Sequence, residues 1–233
     1  MKARFLVIII VLMVFVQCSS DDNSKKDAKA IRLRYLALGD SYTKGQGVCN
    51  SCRFPEQLKD SLTQNFRPFD IFTSTLIAET GWTTTQLKTA IASRNQNLKY
   101  DFVTLLIGVN NQYQNLPFST YETEFPQLIE EAILAVDGNR NRVFVLSIPD
   151  YAYTPFGQGN SNSPQISTEI DQYNAFTQNY CESNNIQFLD ITSLSRTGLT
   201  NPELIASDGL HLSTQAYSRI TSLILPYVKN LID

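Results

Sequence analysis

The sequence holds one histidine, His211, in 233 residues, and only four cysteines. One imidazole and a spare thiol are too few ligands for a zinc site. The longest apolar run, residues 5–16, is far short of the roughly 20 residues that a membrane-spanning helix needs. Basic residues form no stripe. The 19 Lys and Arg are interspersed with 22 Asp and Glu, for a net charge of −3, which argues against nucleic acid as a partner. No internal repeat is present, and no low-complexity tract beyond the N-terminal linker. A chain that is 42% hydrophobic is too apolar for disorder. One domain of roughly 200 residues buries about 70% of its unfolded surface and needs no staples to fold.

The N-terminus reads as an export segment. Lys2 and Arg4 precede the apolar run, and Cys18 then leads into "SSDDNSKKDAK". A cysteine directly after such a run resembles a bacterial lipoprotein signal. The resemblance implies a signal peptide over 1–18, a lipidated Cys18 and a polar tether over 19–33. It also implies a domain over 34–233 held outside the cytoplasm, periplasmic or at the cell surface, with the membrane as partner through the anchor. The competing reading is a short uncleaved anchor. In an oxidising compartment Cys49 and Cys52, a C-x-x-C, are expected to form a local disulfide. A redox pair is the alternative reading. Cys181 is expected to be a buried small hydrophobe.

From residue 34 short apolar runs alternate with longer amphipathic ones. Strands are expected over 34–38, 71–79, 102–108, 142–149 and 186–191. Helices are expected over 55–66, 83–93, 120–136, 168–184 and 213–231, the last with Ser213 as N-cap. Strand and helix in alternation predict an α/β fold, a mainly parallel five-stranded sheet covered on both faces. Such sheets carry their sites beyond the C-terminal strand ends.

The residues with chemistry fall there. Ser41 follows the first strand in "GDSYTKG", and Gly81 follows the second in "ETGWTT". Asn110 follows the third in "GVNNQY", and Asp208 and His211 follow the fifth in "SDGLHLS". A serine hydroxyl needs a base to become a nucleophile, and the only imidazole is His211. A carboxylate three residues earlier can fix that imidazole's tautomer. The backbone N–H groups of Ser41 and Gly81 and the Asn110 amide can receive an oxyanion. Each residue alone has a plainer reading: Ser41 and Gly81 as turn residues, Asn110 as a loop cap, His211 as a loop histidine. Asp40 is read as bonding its own turn, without a catalytic role.

Together, in order, these blocks resemble the SGNH/GDSL hydrolase family across the whole domain. The resemblance implies a flavodoxin-like three-layer α/β/α fold and ester hydrolysis through an acyl-enzyme, without metal or cofactor. It makes Ser41 the nucleophile, Asp208 and His211 the acid and base, and Ser41, Gly81 and Asn110 the oxyanion hole. Asn111 stands where many members have Asp.

Aromatic residues Tyr42, Trp82, Tyr113 and Tyr151 fall in loops on the expected active-site side and are the candidate substrate-binding residues; Tyr153 and Phe156 lie near them. The segment 147–164 is expected to form a wall of the cleft or a lid. The expected activity is a lysophospholipase-like or broad esterase on lipid or small acyl esters, acting as a monomer. Alternatives are a carbohydrate O-acetylesterase with the same mechanism and, from another class, a tethered non-catalytic glycan- or lipid-binding module. A flavodoxin-like cofactor binder is disfavoured, because the first loop lacks a phosphate-cradling glycine pattern and centres on an Asp.

Overall fold

The computed structural model describes residues 30–232 except 96, 160 and 161. The signal-like segment, with Cys18, and the linker up to residue 29 lie outside the described residues. Among the described residues there are five strands: β1 (Arg32–Gly39), β2 (Ile71–Ala78), β3 (Phe102–Leu106), β4 (Val143–Leu146) and β5 (Gln187–Leu189). They pair in parallel, in the order β2-β1-β3-β4-β5. The helices are α1 (Ser41–Lys44), α2 (Phe54–Asn65), α3 (Thr84–Ala92), α4 (Val109–Tyr113), α5 (Phe118–Ala135), α6 (Pro155–Gln158), α7 (Ser163–Ser183), α8 (Thr192–Ser195) and α9 (Thr214–Lys229). The α/β fold expected from the alternation is the fold observed.

Burial explains the strand sequences. Central β3 is buried along its whole length and carries Phe102, Val103, Leu105 and Leu106, as a strand covered on both faces must. Edge strand β2 is exposed at Ile71, Thr73 and Thr75, alternating with buried Phe72 and half-buried Ser74 and Leu76. Helix α2 packs against α9, while α3, α5 and α7 pack side by side. Helix α9 begins at the expected cap: Ser213 Oγ accepts from Ala216 N–H at 3.3 Å. Helix α3 starts with a capping box, in which the Thr83 N–H donates to Gln86 Oε1 at 2.8 Å.

Strands β3, β4 and β5 end two or three residues earlier than expected, at Leu106, Leu146 and Leu189, and two further boundaries differ. The domain begins before residue 34: Ile31 N–H donates to Asp70 Oδ1 at 2.8 Å, and Ile71 N–H donates to the Ile31 carbonyl at 2.9 Å. Residues 31–33 therefore belong to the sheet and not to the tether. Helix α7 starts at Ser163, five residues earlier than the pattern predicts, with a proline in its first turn. Among the described residues of segment 147–164 are a 3₁₀ turn over Tyr151–Tyr153, α6 and the start of α7. Cys49 and Cys52 form a disulfide, and Cys181 is buried. Burial pushes the Cys181 thiol up to about 12, so it stays protonated and inert.

The strand order reverses direction across the β1/β3 pair. At such a switch point the two crossovers leave on opposite faces and a crevice opens beyond the strand ends. Ser41 directly follows β1, and Asn110 lies two residues past Gly108 on the β3 side.

Candidate active site

Ser41 is the first residue of α1. Asp40 caps that helix, its Oδ1 accepting from Tyr42 N–H at 3.0 Å, as read from the sequence. The turn is tight because Gly39 lets it be: a Cβ there would lie 2.2 Å from Thr43 Oγ1 and 2.4 Å from the Leu106 carbonyl oxygen. No other residue fits. A strand thus ends by lifting a hydroxyl onto the first turn of a helix.

The opposite side of the site is a turn. Ile205 and Leu212 form an antiparallel bridge, Ala206 N–H donates to the His211 carbonyl at 2.7 Å, and Gly209 N–H to the Ala206 carbonyl at 3.0 Å. Gly209 takes φ +70°, a conformation that favours glycine. Within this turn Asp208 Oδ1 accepts from the N–H groups of Leu210, at 3.0 Å, and His211, at 2.9 Å. Its Oδ2 lies 2.7 Å from His211 Nδ1, and His211 Nε2 lies 3.0 Å from Ser41 Oγ. Partial burial raises the Asp208 carboxyl. The two backbone donors and the imidazole outweigh that and hold it below the ordinary carboxylate value.

The tautomer follows from the partners. A carboxylate can only accept, so Nδ1 carries the proton facing Asp208 and Nε2 presents its lone pair to the Ser41 hydroxyl. Tyr42 packs beside the imidazole, with ring centroids 5.2 Å apart. The sequence reading missed Gly47. A Cβ at this residue, which has φ +84°, would lie 3.0 Å from Asp208 Oδ2 and 2.9 Å from the Ala206 Cβ. Its lack of a side chain leaves room for the carboxylate.

Gly81 and Asn110 line the same cleft as Ser41 and His211. Gly81 has φ +82° with open space where a Cβ would stand, so conformation and not crowding requires glycine there. One Asn110 Nδ2–H donates to the Trp82 carbonyl at 3.0 Å, which leaves one amide proton for a ligand. Gln114 Nε2 donates to the Gly81 carbonyl at 3.0 Å, so the loops after β2 and β3 are tied together. Asn111, fully buried, completes the tie. Its Oδ1 accepts from Thr84 N–H at 3.0 Å, as an Asp would, and its Nδ2 donates to Thr84 Oγ1 at 2.8 Å.

The cleft has a volume of about 270 Å³, and its walls are mostly apolar: Tyr42, Val109, Tyr113, Tyr151, Phe156 and Leu210. Tyr42, Tyr113 and Tyr151 line the cleft on the expected side, but from helices α1 and α4 and a 3₁₀ turn and not from loops. Trp82 is not in the cleft wall. Its ring packs against the core, and it reaches the site through its carbonyl alone. A residue beside a positive-φ glycine turns its side chain in a direction that sequence position does not give. Tyr153 also faces elsewhere, with the Arg196 guanidinium 6.0 Å from its ring centre. No cluster of three or more His, Cys, Asp or Glu able to hold a metal occurs among the described residues.

No curated protein sequence matches the chain. Among solved structures, a lipase/acylhydrolase from Enterococcus faecalis superposes with a TM-score of 0.67 at 19% identity, covering 85% of this chain and 96% of that one. An acetylxylan esterase from Geobacillus stearothermophilus gives 0.65 at 19% identity, covering 85% and 95%. A member of the lipolytic G-D-S-L family from Veillonella parvula gives 0.65 at 15% identity, covering 83% and 96%. At these identities the likeness shows the fold. The model of the GDSL-like lipase/acylhydrolase family matches residues 37–219, most of the chain and every residue of the cleft described above. The chain belongs to the GDSL-like lipase/acylhydrolase family and is a carboxylic ester hydrolase.

Proposed function

We propose that the protein is an extracytoplasmic serine esterase that cleaves short acyl esters through an acyl-enzyme on Ser41. The observation that carries this reading is the unbroken line from Asp208 Oδ2 through His211 to Ser41 Oγ, at 2.7 and 3.0 Å. Ser41 Oγ attacks the ester carbonyl while His211 Nε2 takes its proton, and Asp208 stabilises the imidazolium. The carbonyl oxygen becomes an oxyanion and draws on the Ser41 and Gly81 N–H groups and the free Asn110 amide proton. Collapse expels the alcohol, which leaves with the proton held by His211. Water, deprotonated by the same imidazole, then attacks the acyl-enzyme, and the acid departs with Ser41 restored.

A cleft of about 270 Å³ with aromatic walls suits a small acyl group. The second reading keeps the mechanism and makes the alcohol a carbohydrate; the rings of Tyr42, Tyr113 and Tyr151 in the cleft wall favour it, since aromatic faces suit a sugar as well as an acyl chain. The export-like N-terminus, with Cys18 as lipid anchor, supports action outside the cytoplasm, and the Cys49–Cys52 disulfide suits an oxidising compartment.

The test is a panel of esters of increasing acyl length, with lysophospholipid and acetylated oligosaccharide, on wild type and Ser41→Ala. Highest kcat/KM on acetyl to butyryl esters, lost in Ser41→Ala, is the expected result. Preference for long acyl chains would overturn the short-acyl assignment, and turnover that survives Ser41→Ala would overturn the mechanism.

A further inference from the structure

The end of the sheet where the strands start differs in charge from the end that carries the cleft. In the parallel register Arg32 pairs with Ile71, Tyr35 with Phe102 and Val103 with Val143, so the segments leading into β1 to β4 emerge side by side. Together with the first residues of β1 they bring six cations to one end: Arg32, Arg34, Arg67, Lys99, Arg140 and Arg142. Four carboxylates answer them. Asp70 pairs with Arg67 at 3.0 Å, Asp101 with Arg142 at 3.7 Å, Asp137 with Lys99 at 3.7 Å and Glu130 with Arg140 at 3.5 Å. Nearby, Arg94 and Glu131 pair at 3.9 Å and cancel. Arg32 and Arg34 are exposed and join no ion pair among the described residues. Residues 30–232 hold 14 Lys and Arg against 18 Asp and Glu. This end thus has a surplus of two positive charges, and the rest of the domain, cleft included, a deficit of six.

The same segments expose apolar groups. Phe69 and Leu134 are each 54% exposed, and Ile71 and Leu98 are exposed beside them in sequence and register. The Arg67 guanidinium lies 4.6 Å from the centre of the Phe69 ring, and Lys99 Nζ donates to the Leu134 carbonyl at 2.9 Å, so cations and apolar tips project together. That combination suits a lipid surface, where apolar tips enter the headgroup boundary and cations meet anionic phosphates. The acidic cleft end would be repelled by the same surface.

The chain enters the domain here. Ser41 lies about 25 Å away, at the far end of the eight residues of β1. From Cys18, the proposed anchor, to Ile31 the 13 residues reach at most about 45 Å. A domain of this size is roughly 43 Å across, and a path round it that would set the cleft on the bilayer takes about 55 Å. Residues 19–29 hold three lysines and three aspartates, so the positive surplus belongs to the domain itself.

We propose that the strand-start end is a docking face for the anionic phospholipid bilayer that holds the anchor, with Arg32, Arg34 and Phe69 at its centre. The cleft then points away from that bilayer, toward esters in the surroundings and not toward the lipids beneath. The proposal rests on the anchored, extracytoplasmic reading for where the bilayer lies, and ester hydrolysis does not depend on it.

The test uses residues 19–233, which keep every described residue of the fold and lack the anchor. Co-sedimentation is measured at millimolar lipid with vesicles of phosphatidylcholine alone and of equal parts phosphatidylcholine and phosphatidylglycerol. Binding should require phosphatidylglycerol and weaken with salt. It should fall about thirtyfold in the double variant Arg32→Gln, Arg34→Gln, the worth of two charges at an anionic surface, and severalfold in Phe69→Ser. All three side chains are exposed, so the variants keep the fold. Vesicle-bound enzyme should turn over a soluble acetate ester within twofold of the free rate, because the cleft stays open. No binding, equal binding to phosphatidylcholine, or binding indifferent to Arg32 and Arg34 overturns the proposal. So does binding that is lost in Tyr113→Ser or that blocks turnover, since either would put the cleft end on the lipid. The intact mass of the exported full chain checks the anchor, and a mature chain without lipid on Cys18 also overturns the proposal. Turnover of the soluble ester that depends on Ser41 leaves the esterase reading standing in each of these cases.

Discussion

Asp40 sits one residue before the nucleophile, fully buried, and its carboxyl has half the partners it needs. Oδ1 accepts from Tyr42 N–H, while Oδ2 is buried without any hydrogen bond. Burial pushes this carboxyl from an ordinary 3.8 to about 7, against the pull of backbone N–H groups. The native state therefore holds a proton that the unfolded chain has already released between pH 4 and 7. In that window the native state binds more protons, so stability falls as pH rises. The difference of about three pH units corresponds to roughly 4 kcal/mol, all of it lost by pH 8. Asp40→Asn keeps the acceptor for Tyr42 and cannot ionise. Its NH₂ group is a buried unpaired donor, but so is the hydroxyl of the protonated acid, and the two costs nearly cancel. The variant should match wild type near pH 4.5 and exceed it by several kcal/mol at pH 8. Urea unfolding at pH 4.5, 6 and 8 measures this directly, with a difference in Tm of about 2–4 °C per kcal/mol as a check. A variant that is no more stable than wild type at pH 8, or an advantage that does not grow with pH, would refute the reasoning.

Gly47→Ala places a methyl against Asp208 and Ala206 at a positive φ, and should cost up to about 10² in kcat, the scale of a misplacement of about 1 Å. A folded variant with wild-type kcat would show that the carboxylate has slack. Asn110→Ala removes a donor to the oxyanion and should lower kcat by about 10²–10³ with little change in KM; a change in KM alone would mean that it serves the Trp82 loop. Replacing Cys49 and Cys52 by Ser should lower stability by about 2 kcal/mol, the scale for so short a loop, and leave turnover in place. Loss of turnover in the folded double variant would put the disulfide within the chemistry.

Much of the site is legible because a parallel sheet sorts residues by itself. Once 34–38 and 102–108 read as strands, Ser41 and Asn110 must stand at the same sheet edge. Asp208 and His211 are legible because three residues suffice for one turn to place both on one side. Helices α1, α4, α6 and α8 are invisible in the pattern because four or five residues carry no periodicity. Residues 31–33 look like tether because the edge that starts β1 is exposed and is held by Asp70, a contact across 39 positions. The Gly47–Asp208 approach and the Gln112–Glu169 bond are tertiary contacts that no local signal encodes. Trp82 misleads because its ring direction depends on the backbone of Gly81.

Covalent capture of Ser41 is the most direct test of the mechanism. A fluorophosphonate probe reacts only with a serine whose base is in place, and peptide mapping locates the adduct. One equivalent on Ser41, absent in Ser41→Ala and strongly slowed in both His211→Ala and Asp208→Asn, is the predicted result. Labelling that persists in Ser41→Ala, or that proceeds at the wild-type rate without His211, would contradict a nucleophile activated across the 3.0 Å Ser41–His211 contact.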